Sequence, residues 1–527
     1  MRLTRLMLGS LAIIMTATGC AIPLVPSGTG GDAILVVALD SPPLTLDPAN
    51  ITELASAHVS SQVYETLVEF NAKTSTFDPL LAQSWTVSGD GRVWTFTLRY
   101  GVTFHDGTPL TAGAVVDNFN RWMDVTNPYH HGDFDYWQLL FGGFKGSGSI
   151  VRSVEQVDDL RFRLTLEQPW SPLLAALSMF PFAIVSPTAM RTDIDAIYRR
   201  PVGTGPFRFV QWRSDGEVEL EANAAYWGGR PKLDGVRFQV ITDRAARLNA
   251  LRDGKAHVVE GGDAALAREA RKISGVRMVL RPSTSVAFLS INQSAAPFDD
   301  ARVRRAIAYA INRKTLVDAG YGGLAQVADG FLPPAIAGGA EPAASDLYNR
   351  DEAVRLLNEA GVGDGVVAQL WYPTQPLVSI PDPRAVAQSI ASDLRAVGIV
   401  VSLNSADWPT YQRRALEGGY PLYLQGWTGD SPDADDYLPP LFASSVVLRS
   451  IAYANPNLQA LLDRARGESD SATRSGLYRQ AAAMLGDDMP RVPLVYPQSP
   501  VLLAGSVKGF MPGALGLESY RAVTLGN

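Results

Sequence analysis

The residues of this chain best equipped for chemistry lie between Gly426 and Leu438, where GWTGDSPDADDYL sets Asp430, Asp433, Asp435 and Asp436 beside Trp427. Carboxylates this close could bind a metal, act as a catalytic acid pair, clamp a ligand or simply line a wet loop. A calcium loop is disfavoured, because D-x-D-x-D-G with a distal glutamate is not present. Other catalytic material is thin. The histidines are His58, His105, His130, His131 and His257, and neither H-E-x-x-H nor G-x-S-x-G occurs. His130-His131-Gly132-Asp133-Phe134-Asp135 is the one local ligand-rich patch, but adjacent loop histidines usually point apart, so a solvated loop is expected there and no metal site. Gly203-Thr204-Gly205-Pro206 lacks the Lys-Ser/Thr of a phosphate loop. His105-Asp106-Gly107-Thr108-Pro109 has the residues of a turn ahead of a helix opening at Thr111. No nucleophile with a base emerges, so neither catalysis nor a cofactor is expected.

The elements that must position these residues follow from periodicity. The chain has 527 residues, 46% hydrophobic and 19% charged, enough for two or three domains. Its net charge of −7 and its want of a dense Lys/Arg run argue against nucleic acid as a partner. Trp94, Phe96 and Leu98 alternate with Val93, Thr95 and Thr97, and Phe162, Leu164 and Leu166 with Arg161, Arg163 and Thr165, which predicts strands; Val236, Phe238 and Val240 repeat the period. Val303, Ala306, Ile307, Ala310 and Ile311 share one helical face after a cap at Asp299 or Asp300. Val386, Ile390, Leu394 and Val397 form a second stripe that Gly398 ends, and Ile399-Val400-Val401 follows as a buried strand, the mark of an α/β layer. Breaks are expected near 68–78, 201–206, 281–282 and 332–344.

The N-terminus has the build of an export signal. Arg2 and Arg5 precede an apolar run from Leu6 to Met15, too short to span a bilayer, and small residues follow. Cys20 is the only cysteine, so no internal disulfide is possible. Ala17-Thr18-Gly19-Cys20 resembles a bacterial lipobox, with Ala17 where a leucine is usual, and implies lipidation of Cys20. Residues 22–32 read as a flexible tether. No later stretch reaches the roughly eighteen apolar residues of a membrane span.

Several long segments together resemble a known family. AQSWTVSGDGRVWTFTLRYGVTFHDGTPLTAGAVVDNF, GTGPFRFVQW, AYWGGRPKLDGVRFQVITDRAARLNALRDGKAHVV, FDDARVRRAIAYAINRKTLV and YNRDEAVRLLNEAG are similar, in order, to the family 5 extracytoplasmic solute-binding proteins of peptide and nickel ABC importers. The resemblance spans nearly all of residues 33–527. It implies an α/β, two-lobed periplasmic-binding-protein fold with a hinge and an additional third domain. Residues 1–19 would be the signal peptide and 20–32 the lipidated tether. Lobe I would take 33–66, 200–280 and 490–527, the extra domain 67–199 and lobe III 281–489. The segment Ala82 to Phe119 would then lie away from the ligand.

The resemblance also implies site residues. In the family's peptide binders an aspartate three residues after the tryptophan pairs with the peptide α-amino group, and Asp430 holds that place after Trp427. An Asx-type turn before Ser431-Pro432 is the bland alternative. Trp427 would wall the ligand, and Gly426 and Gly429 would allow close backbone approach. Trp408 and Tyr411 could reach the cleft or fill the core, and Thr52 and Glu53 fall where lobe I meets extended ligands. Asp433, Asp435 and Asp436 read as helix-start or surface charges. The implied protein is a monomeric lipoprotein that passes short peptides to an ABC permease and ATPase. A nickel chelate, haem or other small solute in the same fold is the alternative, as is a surface sensor or adhesion lipoprotein without transport.

Overall fold

Alternation along the sequence becomes strand pairing in the computed structural model, which describes residues 33–336, 338 and 348–526. The signal segment, Cys20 and the tether lie outside the described residues. Strands Val93–Leu98 and Arg161–Leu166 bury every second side chain, as the period of two requires. They sit centrally in a four-stranded antiparallel sheet with Ala82–Val87 and Val151–Gln156 at its edges. Helix Ala112–Met123 begins where the turn ends, capped by the Thr111 side chain. Its buried face closes an aromatic core in which Phe96 and Phe162 stack at 5.0 Å and Phe119 meets Trp122 at 4.9 Å.

A second sheet has seven strands, in the order Val276–Leu280, Pro500–Ala504, Val258–Val259, Ile34–Leu39, Gly235–Val240, Val218–Ala222, Phe207–Trp212. A third has six: Ala325–Val327, Arg491–Pro497, Ser285–Ile291, Leu422–Thr428, Val366–Pro373 and Ile399–Ala406. Ser285–Ile291 is buried along its whole length because successive side chains serve opposite faces. Ala287, Leu289 and Ile291 enter one core, and Val286 and Phe288 the other.

The two stripes read from sequence form helices. Pro383–Arg395 buries Val386, Ile390 and Leu394, Gly398 takes φ +89°, and the strand Ile399–Ala406 follows. Ala301–Ala310 is capped by Asp300, whose carboxylate accepts from Arg302 N at 2.8 Å. Asp300→Ala is expected to cost about 1 kcal/mol in urea unfolding. An unchanged midpoint would show that the cap does not matter.

Two boundaries drawn from sequence need correction. Residues 491–497, placed with lobe I, pair with Ser285–Ile291 in the six-stranded sheet, because Val492, Leu494 and Val495 fill that core. Phe180, Ala183, Val185, Met190 and Ile197, placed in the extra domain, pack in the core beneath the seven-stranded sheet. The crossings between the two larger sheets run through residues 281–284 and 498–499. Arg281 N donates to Ser499 O at 3.0 Å and Gln498 Nε2 to Arg281 O at 3.1 Å, which ties the crossings together.

Candidate functional site

Strand Leu422–Thr428 ends beside these crossings, and its end is firmly pinned. Ser285 and Thr428 are register partners whose hydroxyls lie 2.8 Å apart. Gly429 N and Tyr437 Oη both donate to Thr284 O, at 3.1 and 2.7 Å. The next residue, Asp430, stands on the wall of a cavity of about 340 Å³. Thr52, Glu53, Arg281, Thr428 and Gly429 share that wall. So do Tyr136 and Phe180, from the stretch read as the extra domain, so that stretch is not wholly remote from the cavity.

Asp430 has no Lys, Arg or His within ion-pair distance among the described residues. Burial raises its pKa above the usual carboxylate value, and an interaction with the Tyr136 hydroxyl opposes the rise. The carboxylate thus stands on the cavity wall, still open to solvent, partly desolvated by the residues packed around it and without a countercharge among the described residues.

The other three aspartates have distinct partners. Asp433 is 1% exposed and forms a fork with Arg474, at 2.7 and 2.6 Å, while its backbone position starts the short turn Ala434–Asp436. Of its two readings the helix-start one holds, since its carboxylate accepts from Asp435 N at 2.8 Å, and the surface-charge one is corrected. Asp435 pairs with Arg466 at 3.0 Å. Asp436 accepts from Ser431 N at 2.8 Å, and burial, with help from the Asp430 charge, pushes its carboxyl up to about 7. These three line a second cavity of about 390 Å³, opposite Phe141 and Trp170.

Asp436 makes the apo protein sensitive to pH. Its folded pKa stands above the 3.8 of a free aspartate, so the folded chain holds an extra proton between those values. That contribution is complete below pH about 4 and is lost as pH rises through about 7, at up to about 1.4 kcal/mol per pH unit. Asp436→Asn is expected to flatten the fall in melting temperature between pH 5 and pH 8. A variant with the wild-type slope would refute the assignment.

Several expected contacts turn out to be internal packing. The Trp427 indole N–H donates to Asp436 O at 2.7 Å and its ring packs on the core behind the strand, so it does not wall this cavity. Trp408 opens helix Trp408–Leu416 and stacks on Tyr411 at 6.1 Å in the same core. Tyr411 is 2% exposed and donates to Leu424 O. A Cβ on Gly429 would stand 2.4 Å from Tyr437 Oη, and one on Gly426 1.9 Å from Ser379 Oγ, so both glycines make room for the protein's own side chains. Thr52 and Glu53 both line the cavity, and Glu53 also caps helix Leu54–Ser60 through Ser56 N.

The histidine patch behaves as a loop. His130 Nδ1 meets Arg121 O at 2.7 Å and His131 Nδ1 meets Asp195 at 3.0 Å, so the rings diverge. Gly203 and Gly205 leave space for the backbone of Val63, which explains them without phosphate. Two features escaped sequence reasoning. Tyr136 directly follows the patch that was set aside. His58, Glu260, Glu518 and Arg281 form a buried cluster, but only Glu260 and Arg281 are near each other in sequence, and no local pattern signals it.

Comparison with known proteins agrees with this architecture. Residues 76–447 match the sequence model described as bacterial extracellular solute-binding proteins, family 5 middle. A heme-binding protein A of Haemophilus influenzae is 32% identical over 500 residues, covering 92% of this chain and 90% of that protein. A dipeptide-binding protein of Escherichia coli is 29% identical, covering 93% and 94%. The solved HbpA2 of Haemophilus parasuis superposes with a TM-score of 0.86 at 29% identity, over 94% of this chain and all of that one. The periplasmic binding protein DppA of Helicobacter pylori, solved with the peptide STSA, gives 0.65 at 30% identity, over 94% and 98%.

Proposed function

Since the chain belongs to family 5 of the bacterial extracellular solute-binding proteins, a family of binding proteins and not of enzymes, we propose that it captures short peptides by their free N-terminus in the cavity beside Asp430. The observation that carries this reading is the partly desolvated Asp430 carboxylate without a protein cation. An α-ammonium brings three donors and one positive charge, which is what that carboxylate lacks. Thr284, Thr428 and Gly429 line the same cavity at a strand end, and backbone contact there would suit a binder that accepts many side chains. Relatives named for dipeptides, and a neighbour solved with a peptide, support the same class of ligand.

In this reading the protein is a lipid-anchored, monomeric subunit that delivers its ligand to an ABC permease and ATPase. Among the described residues no helix is long and apolar enough to cross a membrane. Cys20→Ser should release the processed chain from the membrane fraction, and retention of a processed chain would count against the anchor.

Mass spectrometry of the solute that co-purifies tests the ligand class. A mixture of short peptides is expected; a porphyrin or metal chelate would replace the peptide reading with the alternative that the heme-binding relative suggests. After stripping, N-acetylated peptides should bind about tenfold worse than free ones, a loss of about 1.4 kcal/mol. Equal affinities would remove the ammonium clamp.

A further inference from the structure

The strongest unexplained feature is a buried cluster next to the crossing at Arg281. His58 is 4% exposed, on helix Leu54–Ser60, and lies between Glu260, 3% exposed, and Glu518, 2% exposed. Its Nε2 is 3.8 Å from Glu260 Oε2 and its Nδ1 3.9 Å from Glu518 Oε2, beyond hydrogen-bond reach on both sides. Arg281 bridges the two glutamates: its Nη2 donates to Glu260 Oε2 at 2.6 Å and to Glu518 Oε2 at 3.0 Å, the oxygens nearest the ring, and its Nε donates to Glu518 Oε1 at 2.6 Å. Glu260 Oε1 has no donor, although it is sealed from solvent. A sealed carboxylate oxygen without a donor is costly, and the imidazole beside it makes no side-chain hydrogen bond among the described residues, which leaves a place for a positive charge that both could bind.

We infer that His58, Glu260 and Glu518 form a binding site for a divalent transition-metal cation of the zinc type. One ligand atom from each residue lies within 4.8 Å of the other two, close enough for a single ion to reach all three. Imidazole plus carboxylate is a donor set that suits zinc, with water in the fourth position. A cavity of about 130 Å³ adjoins the cluster, lined by His58, Glu260, Gly261 and Asp40, and has room for that water. Charge favours a dication too. Glu260, Glu518 and Asp40 against Arg281 leave two negative charges around the cluster, and Arg281 donates to neither Glu260 Oε1 nor the imidazole. Asp40 folds over Gly261, where a Cβ would come within 2.1 Å of its Oδ2, so the third carboxylate stands beside Glu260.

Calorimetric titration of the full, chelator-stripped chain with Zn²⁺ alone tests the site. One equivalent should bind with a Kd below about 10 μM and raise the melting temperature. Glu260→Gln and His58→Gln should each weaken it at least tenfold, and Asp430→Asn should leave it unchanged. His58→Gln keeps a similar bulk, and circular dichroism on both variants separates lost ligation from lost folding. No binding below 1 mM would overturn the site, as would zinc affinity unchanged in both folded variants, which would place the ion elsewhere. A doubly protonated His58 ring at pH 7 that persists with zinc added would also overturn it, since a proton would then supply the missing charge.

Discussion

Asp430→Asn is expected to weaken binding of a peptide with a free N-terminus tenfold to a hundredfold, about 1.4–2.8 kcal/mol, while N-acetylated peptides bind as before. Asparagine keeps the shape and replaces the carboxylate charge with a neutral amide, so half of it would point donors at the ammonium. Truncating one partner of a well-buried charge pair costs about 2–5 kcal/mol. Asp430 stands nearer the lower bound, because solvent still reaches it at the cavity wall. The measurement is calorimetry with matched free and acetylated peptides on both proteins. A loss that is equal for the two ligands would mean that Asp430 shapes the cavity without pairing with an ammonium.

A loss of about 3–5 kcal/mol in folding stability is expected of Arg121→Ala. Arg121 and Asp47 form an ion pair in which both side chains are fully buried, with Nη1 3.0 Å from Oδ1. Arg121 belongs to the helix above the aromatic core, and Asp47 precedes the short turn Pro48–Asn50 in the segment that packs under the seven-stranded sheet. Removing the guanidinium leaves a carboxylate sealed from water, held among the described residues only by Asn50 Nδ2 at 2.8 Å. Urea unfolding should show the drop in the first transition, and Arg121→Ala with Asp47→Ala should recover part of it by removing the stranded charge. A single variant within about 1 kcal/mol of wild type would show that water reaches the pair.

Much of the fold could be read from local pattern. The strands at Val93–Leu98 and Arg161–Leu166 and the helix–glycine–strand unit at Pro383–Ala406 follow from periods of two and 3.6 and from one residue at positive φ. Such signals are carried by neighbours in sequence. The allegiance of Arg491–Pro497 is not, since an apolar strand reads the same whichever sheet receives it. The site divides along the same line. Asp430 is marked out only by resemblance to the family's peptide binders, and Trp427 beside it faces a core because strand register, invisible in one sequence, sets which side it takes. Asp433 and Asp435 looked exposed until Arg474 and Arg466 arrived from more than thirty residues away. A far longer separation in sequence hides His58 from Glu518.

The place of Pro500–Ala504 has a consequence for how the chain is made. This strand is bonded to Val258–Val259 on one side and to Val276–Leu280 on the other, inside a sheet that also holds Ile34–Leu39. A chain emerging from the ribosome N-terminus first therefore cannot complete that sheet until its last residues appear. Loop closure over more than two hundred residues must then be met before the pairing is rewarded, which slows folding. The aromatic core of residues 67–184 has no such dependence and can form while synthesis continues. A nascent chain halted before residue 498 should accordingly show protease resistance over the aromatic core and none over Val276–Leu280, the edge strand that pairs with Pro500–Ala504 alone.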